Sequence, residues 1–334
     1  MNILAFETSC DETAVAVVRG GRHILSNAVL SQIDVHALYG GVVPELASRR
    51  HMEVVAALTG QAIAEAGLDR RDIGAVAVTH APGLIGALLV GVGFAKGAAF
   101  ALDKPLIPVH HIRGHIAANY IAHPELRPPF AALVASGGHT LLLDVRNYTE
   151  MTVLGSTRDD AAGEVFDKVA RVLGLGYPGG AALDRLAAQA APGAAGAFHL
   201  PRPRVEGNPY DMSFSGLKTA ALSLLNSARM KNEEVDRAGL AAAFVGAVCD
   251  TLVSRTALAL QNLGYETCVL AGGVAANTHL RRSLARSLPG ALYMPPAALC
   301  GDNAAMIGAQ AWYEYVSGAS ADMALNGYAS GSLG

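Results

Sequence analysis

Cysteine is scarce in this chain of 334 residues, and the four that occur, Cys10, Cys249, Cys268 and Cys300, stand far apart. No CxxC arises, which argues against a zinc cluster or a disulfide framework and makes reduced thiols in a cytoplasmic protein the expectation. Charge is sparse as well: 16% of residues are charged and the formal net charge is −3, so the whole molecule is no electrostatic magnet for nucleic acid. Arg49-Arg50, Arg70-Arg71, Arg202 with Arg204, and Arg281-Arg282 are local basic pairs of the kind that decorate solvated helix ends. An RNA would need a patch, or a surface completed by partners. No apolar run reaches the ~20 residues of a membrane span. The longest, Ala81 to Ala95, holds Pro82 and four glycines and is closed by Lys96. The chain starts on a strand-like Ile3-Leu4-Ala5-Phe6 without a basic stretch before it, so no signal peptide is expected. Walker A, HExxH and GxSxG are missing too, which removes the P-loop, zincin and serine-hydrolase readings.

What is present points to α/β. Hydrophobic residues make up 51% of the chain, with 37 glycines, a composition for a tightly packed protein with many turns. Ile3–Phe6, the polar turn Glu7–Thr13 and Ala14–Val18 read as strand, turn, strand. Ala131–Ala135, Ser136–Thr140 and Leu141–Val145 repeat the plan. Two hairpins, one opening each half, suggest a duplicated fold with a cleft, although two unrelated hairpins would give the same pattern. Strands are further expected at 75–79, 106–109 and 267–271, and helices at 84–102, 161–173, 180–190, within 233–263, and at 304–315. The Gly/Pro-rich stretch 192–209 reads as a surface excursion.

The sharpest motif is Val109 to His115. His111 and His115 stand at i and i+4, and on a helix four steps of about 100° bring the second imidazole back to within ~40° of the first. The two can then share a metal ion, though packed histidines produce the same spacing. Ile112 occupies the place where HExxH carries its glutamate. Three Gly-rich turns follow apolar strands or precede helices: Ser136-Gly137-Gly138-His139-Thr140, Tyr177-Pro178-Gly179-Gly180 with Asp184 one turn on, and Gly272 to Asn277. Such turns offer backbone N–H groups to an anion, and Asn277 can bond a purine or ribose or simply start a helix. Among the carboxylates, Asp11 lies in the first polar turn, where it can hold a metal or position an attacking group. Glu164 and Asp167 are spaced i, i+3, which an exposed helix face explains equally. Asp302 by itself reads as the N-cap of the last helix. With His111 and His115 it would make a two-His, one-carboxylate set with open positions for a substrate oxygen.

Taken together, these segments closely resemble the TsaD family of tRNA N6-adenosine threonylcarbamoyltransferases, formerly labelled O-sialoglycoprotein endopeptidases. The resemblance runs nearly end to end. It is carried by Glu7 to Thr13, Tyr39 to Arg49, His110-His111 with Gly114-His115, Ser136 to Thr140, Asp159 to Glu164, Ser213 to Thr219, Gly272 to Asn277 and Gly301-Asp302-Asn303. It implies an α/β fold of duplicated ribonuclease-H-like lobes of the actin/Hsp70/sugar-kinase (ASKHA) superfamily with a cleft between them. The N-terminal lobe would span 1–115 with a closing helix at 303–324, and the C-terminal lobe 116–302.

The implied reaction moves threonylcarbamoyl from threonylcarbamoyl-adenylate to N6 of adenosine 37 in tRNAs reading ANN codons, releasing AMP. By family pattern His111, His115 and Asp302 bind one divalent metal, iron or zinc. Val134, Ala135, Ser136, Gly137 and Gly138 would hold the adenine nucleotide of the intermediate, with Asp167, Gly180, Asp184 and Asn277. TsaB and TsaE are the implied partners, TsaC the source of the intermediate, the cytoplasm the location, and no membrane is involved. For a general base, Asp11, a water and the substrate phosphate stay open. Two departures from the family pattern are Ala81-Pro82-Gly83 in place of Gly-Pro-Gly and Ile112-Arg113 in place of Met-Glu. A small-molecule kinase of the same fold would use Asp11 and the turns but not the His-His-Asp set. A noncatalytic scaffold would have lost that set, and a glycoprotease is disfavoured by the missing motifs.

Overall fold

The structure, a computed structural model, describes residues 1–203 and 205–333; Arg204 of the basic pairs above lies outside them. The chain forms two compact units, Met1–Pro128 with Val145–Thr152 and Pro295–Gly334, and Pro129–Asp144 with Val153–Met294. In chain order the elements are β1 (Asn2–Glu7), β2 (Glu12–Arg19), β3 (His23–Ser31), α1 (Ile33–Ala37), α2 (Pro44–Glu65), β4 (Ile73–Ala81), α3 (Ile85–Leu102), β5 (Leu106–His110), α4 (His111–Ala122), β6 (Phe130–Ala135), β7 (Thr140–Val145) and β8 (Met151–Ser156), then α5 (Ala162–Val172), α6 (Gly179–Ala187), α7 (Ser215–Lys231), α8 (Arg237–Leu263), β9 (Thr267–Ala271), α9 (Thr278–Ser287), β10 (Ala291–Tyr293) and α10 (Ala304–Val316). The strands and helices expected from periodicity are present, α10 ending at Val316, and among the described residues of 192–209 the regular structure is one short 3-10 turn.

The first sheet has the order β3-β2-β1-β4-β5, with β1 antiparallel to β2 and parallel to β4, and β4 parallel to β5. Successive side chains of a strand point to opposite faces, and β1 buries both. Ile3 and Ala5 join Ala14, Ala16, Ala75 and Ala77 under α4 and α10. Leu4 and Phe6 join Val55 and Leu58 of α2 and Val92 and Ala95 of α3 on the other side. Each fully buried Leu, Val or Phe is worth roughly 1.5–3 kcal/mol, so the large side chains carry the second face. The alanine-lined face contributes less per residue but lets α4 and α10 lie close to the sheet.

Two polar devices hold those helices. Arg22 donates to the carbonyl oxygens of Tyr120 (2.9 Å) and His123 (3.4 Å), which α4 leaves open at its C-terminal end, and to that of Leu126 (3.3 Å) in the following loop. Arg113 of α4, at one of the departures from the family pattern, is largely buried against Glu314 of α10 at 2.8 Å and also donates to the carbonyl of Leu333. Gln310 donates to the same Glu314 oxygen.

The second sheet has the order β10-β9-β6-β7-β8. Counted from its other edge it repeats the first sheet strand for strand, β6 standing where β1 does and β9 where β4 does. The equivalent neighbours are again parallel, β6 with β9 and β9 with β10. Ser136 to His139 is too short for a parallel crossover, so β6 and β7 form the expected second hairpin. By length and composition α3 and α8 are apolar enough to cross a membrane, but half of the α8 stretch is buried in the protein, and Leu240, Phe244, Val248 and Leu252 of that helix are core residues.

Two outcomes follow from this packing. Arg113→Ala leaves Glu314 mostly buried without its cation and should lower the unfolding free energy by about 3 kcal/mol; a urea midpoint equal to wild type would show the pair to be dispensable. His51 of α2 is fully buried; its Nε2–H donates to the Cys10 carbonyl (2.9 Å), which leaves Nδ1 to accept from the Thr13 hydroxyl (2.7 Å). Burial pushes this imidazole below its ordinary value of 6.5. The unfolded chain therefore takes up a proton below about pH 6.5 that the folded chain resists, and stability falls as pH drops from there. Urea midpoints measured between pH 7.5 and 5.5 should decline, and the decline should be shallower in His51→Gln.

Candidate functional site

The first cluster is built at the ends of β1 and β5. Strand β5 ends at His110, whose Nδ1 accepts from the Ile112 N–H (3.2 Å) and caps α4. His111 is thus the first residue of α4 and His115 lies one turn on, so the i, i+4 pair is on a helix as its spacing requires. The rings are 4.6 Å apart between centroids. Asp302 precedes α10, but it is not that helix's cap. Asn303 takes that place, its side chain accepting from the Met306 N–H at 3.0 Å. The sequence reading of Asp302 as an N-cap is therefore corrected by one residue, and its carboxylate is turned to the histidines instead. Asp302 Oδ1 lies 3.3 Å from His115 Nε2 and 3.6 Å from His111 Nε2.

Do these residues fit a metal ion? Two ligands ~2.1 Å from one tetrahedral ion sit about 3.4 Å apart, and the observed 3.3 and 3.6 Å bracket that value. One ligand atom from each of the three residues falls within 4.8 Å of the others. His115 is fully buried, yet neither of its ring nitrogens has a hydrogen-bond partner among the described residues, a costly state for a polar group unless something else binds it. Two imidazoles and a carboxylate suit zinc or ferrous iron. The donor set fits.

The surroundings are negative. Glu7, at the end of β1, is fully buried and accepts from His111 Nδ1 at 3.0 Å. Burial works to raise its carboxyl, but the adjoining His111 outweighs it and holds Glu7 below the ordinary value. At His111 burial opposes the charged ring, and Asp302 and Glu7 overcome it and lift the imidazole to about 9. Burial, with Asp302 and Asp11 nearby, pushes Glu12 up to about 9. Asp11 is buried in the β1–β2 turn beside Glu12. A field that favours positive charge at His111 also favours a cation bound there. Sequence reasoning did not single out Glu7 and Glu12. The signal for Glu7 was its parity with Ile3 and Ala5: a carboxylate ending an apolar strand, on the face that α4 covers.

The second cluster belongs to the other unit. Strands β6 and β9 are parallel neighbours, with Val134 opposite Ala271, so the turns beginning at Ser136 and Gly272 leave the same edge of the sheet. In α/β folds this C-terminal edge is where ligands bind. The Ser136 N–H donates to the His139 carbonyl (2.8 Å), and the Ser136 carbonyl accepts from the Gly163 N–H at the start of α5 (3.1 Å). Gly137 and Gly138 are exposed at the tip. Asp167 of α5 accepts from the N–H groups of Gly179 (2.7 Å) and Gly180 (3.2 Å) and so anchors the start of α6. Asp184 of α6 accepts from the Thr278 N–H at 2.9 Å. Asn277 caps α9 through the Leu280 N–H at 2.8 Å. The residues Val134 to Gly138, Asp167, Gly180, Asp184 and Asn277 are thus linked through one set of turns and helix starts. The two aspartates shape that set through backbone groups.

The chain's fold is ASKHA-like, with two five-stranded α/β sheets of equivalent strand order. HypF of T. kodakarensis has a TM-score of 0.62 at 15% identity, covering 95% of this chain and 48% of that one. Component A of (R)-2-hydroxyglutaryl-CoA dehydratase from Acidaminococcus fermentans has a TM-score of 0.55 at 14% identity, covering 95% of this chain and 98% of that one. The family model of TsaD, tRNA N6-adenosine threonylcarbamoyltransferase, matches residues 23–309. Proteins of that name from Clostridium botulinum (strain Kyoto / Type A2) and Moorella thermoacetica are 49% and 52% identical over 100% and 97% of this chain, and 98% and 95% of their own lengths. The chain belongs to this family of tRNA-modifying transferases.

Gly272 tests the geometry of the second cluster. Its φ is +89°, and a Cβ there would come within 2.4 Å of the Ala135 carbonyl oxygen. Gly272→Ala should cost more than about 1 kcal/mol and distort the turn; an unchanged urea midpoint would mean the turn accommodates a side chain.

Proposed function

We propose that the chain transfers the threonylcarbamoyl group from threonylcarbamoyl-adenylate to N6 of adenosine 37 in tRNAs reading ANN codons, with release of AMP. The observation that carries this reading beyond family membership is the His111–His115–Asp302 cluster, which a kinase of the same fold would not need. A divalent ion held there, iron or zinc, would supply Lewis-acid polarisation of a carbonyl oxygen.

The chain's own residues account for the remaining demands of the reaction. The Ser136–Gly138 turn, the start of α6 at Gly180 and the Gly272–Asn277 turn bind the adenine nucleotide, the exposed Gly137–Gly138 tip offering N–H groups to its phosphate. Asp167 and Asp184 act by holding those turns in place, and Val134 and Ala135 form the apolar floor from which the first turn rises. An exocyclic adenine amine is a weak nucleophile, so orientation of the two reactants supplies much of the rate. Asp11 is the protein group proposed to take the amine proton; a water or the substrate phosphate are the other acceptors. TsaB and TsaE are the proposed protein partners, TsaC the proposed source of the intermediate, and the cytoplasm the proposed location.

A reconstituted transfer assay tests this. The chain, TsaB and TsaE, threonylcarbamoyl-adenylate and unmodified tRNA are incubated, and the digested nucleosides are weighed by mass spectrometry. Threonylcarbamoyl-adenosine should form, and His111→Ala should reduce it on the order of 100-fold or more. Absence of product with folded, metal-loaded chain and both partners sinks the transferase reading; full activity of His111→Ala and His115→Ala removes the triad from the chemistry.

A further inference from the structure

We infer that Glu7 is a positioning residue for the metal site: its carboxylate holds the proton of His111 on Nδ1, so that Nε2 is the atom that ligates the ion. This rests on the metal reading above and adds to it a residue outside the triad. Glu7 is fully buried at the end of β1, where an ionised carboxylate is retained only if donors surround it. Three do. The Ser9 N–H donates to Oε1 (2.5 Å), the Thr79 hydroxyl of β4 to Oε2 (2.7 Å), and His111 Nδ1 to the same Oε2 (3.0 Å).

The first two donors belong to the β1 turn and the neighbouring strand, so the carboxylate is held independently of the ring. A carboxylate can only accept, so the nitrogen facing it must carry the proton. The opposite ring nitrogen, Nε2, is the one 3.6 Å from Asp302 Oδ1. A carboxylate on the far nitrogen of a ligating histidine sets its tautomer and raises its basicity. Of the two histidines only His111 has this support; among the described residues His115 Nδ1 has no hydrogen-bond partner.

The test is zinc affinity of the full chain, read by competition with a chelator, for wild type, Glu7→Gln and His115→Ala. Glutamine brings one acceptor and one donor group to a place where three donors converge. Either the Ser9 N–H then loses its partner or His111 takes the other tautomer. Glu7→Gln should weaken zinc binding about 10–100-fold, and His115→Ala at least as much. A purely structural Glu7 would lower the melting temperature of the zinc-free protein and leave zinc affinity unchanged. Nitrogen-15 NMR of zinc-loaded wild type should show His111 with Nδ1–H and zinc-bound Nε2.

Wild-type zinc affinity in Glu7→Gln, with binding lost in His115→Ala, would overturn the role of Glu7 and leave the triad standing. Unchanged affinity in His115→Ala would bring down the triad and, with it, this inference. If Glu7→Gln does not fold, the NMR decides alone: a His111 ring ligating through Nδ1, or carrying its proton on Nε2, overturns the assignment.

Discussion

Ala5, Ala14, Ala16, Ala75 and Ala77 put five small side chains on one face of the first sheet, and the first candidate site depends on their small size. With small residues beneath them, α4 and α10 sit low on the sheet. There the start of α4 comes against the end of β1, and the segment before α10 comes against the same turn of α4. Larger side chains would lift both helices and part the donors of the triad, since close-packed interiors transmit such changes directly. The opposite face, with Leu4, Phe6, Val55 and Leu58, supplies the burial that offsets the modest contribution of the alanines.

Each unit uses the same five-strand order for different chemistry. In the first, the turn after β1 carries carboxylates, and the helix after β5 carries histidines, giving a site that selects a cation. In the second, the equivalent turn after β6 carries Ser136, Gly137 and Gly138, and the turn after β9 carries Gly272, giving exposed backbone N–H groups suited to an anion. Glycine is needed where main chains meet: a Cβ on Gly163 would lie 2.5 Å from the Ser136 carbonyl oxygen. The same strand order thus carries turns of different charge.

Much of this was legible in the chain. The two hairpins, the strands at 75–79, 106–109 and 267–271, and helices α3, α5, α6, α8 and α10 announce themselves by apolar runs and by their punctuation. Helices α2 and α7 were not foreseen. The first carries His51, Arg49, Arg50 and Glu53 among its apolar residues, so its inward face is only weakly marked. The second starts in a serine-rich segment whose local donors are taken by Asp159, 54 to 56 residues away. Long-range bonds of that kind leave no periodic trace.

The α/β class and the pairing of His111 with His115 follow from strand and helix periods and the i, i+4 rule, which are properties of neighbouring residues, and the family from the motifs from Glu7 to Asn303. Tertiary structure alone decided which carboxylate completes the cluster. Asp302 lies 187 residues beyond His115, and only the packing of α10 on α4, with Asn303 taking over the cap, brings its oxygen to the two rings. The same holds for Glu7: its parity on β1 could be read, but its partner depended on where the sheet places the start of α4. Chain-local rules set which way a side chain points; contact across the sheet sets what it meets.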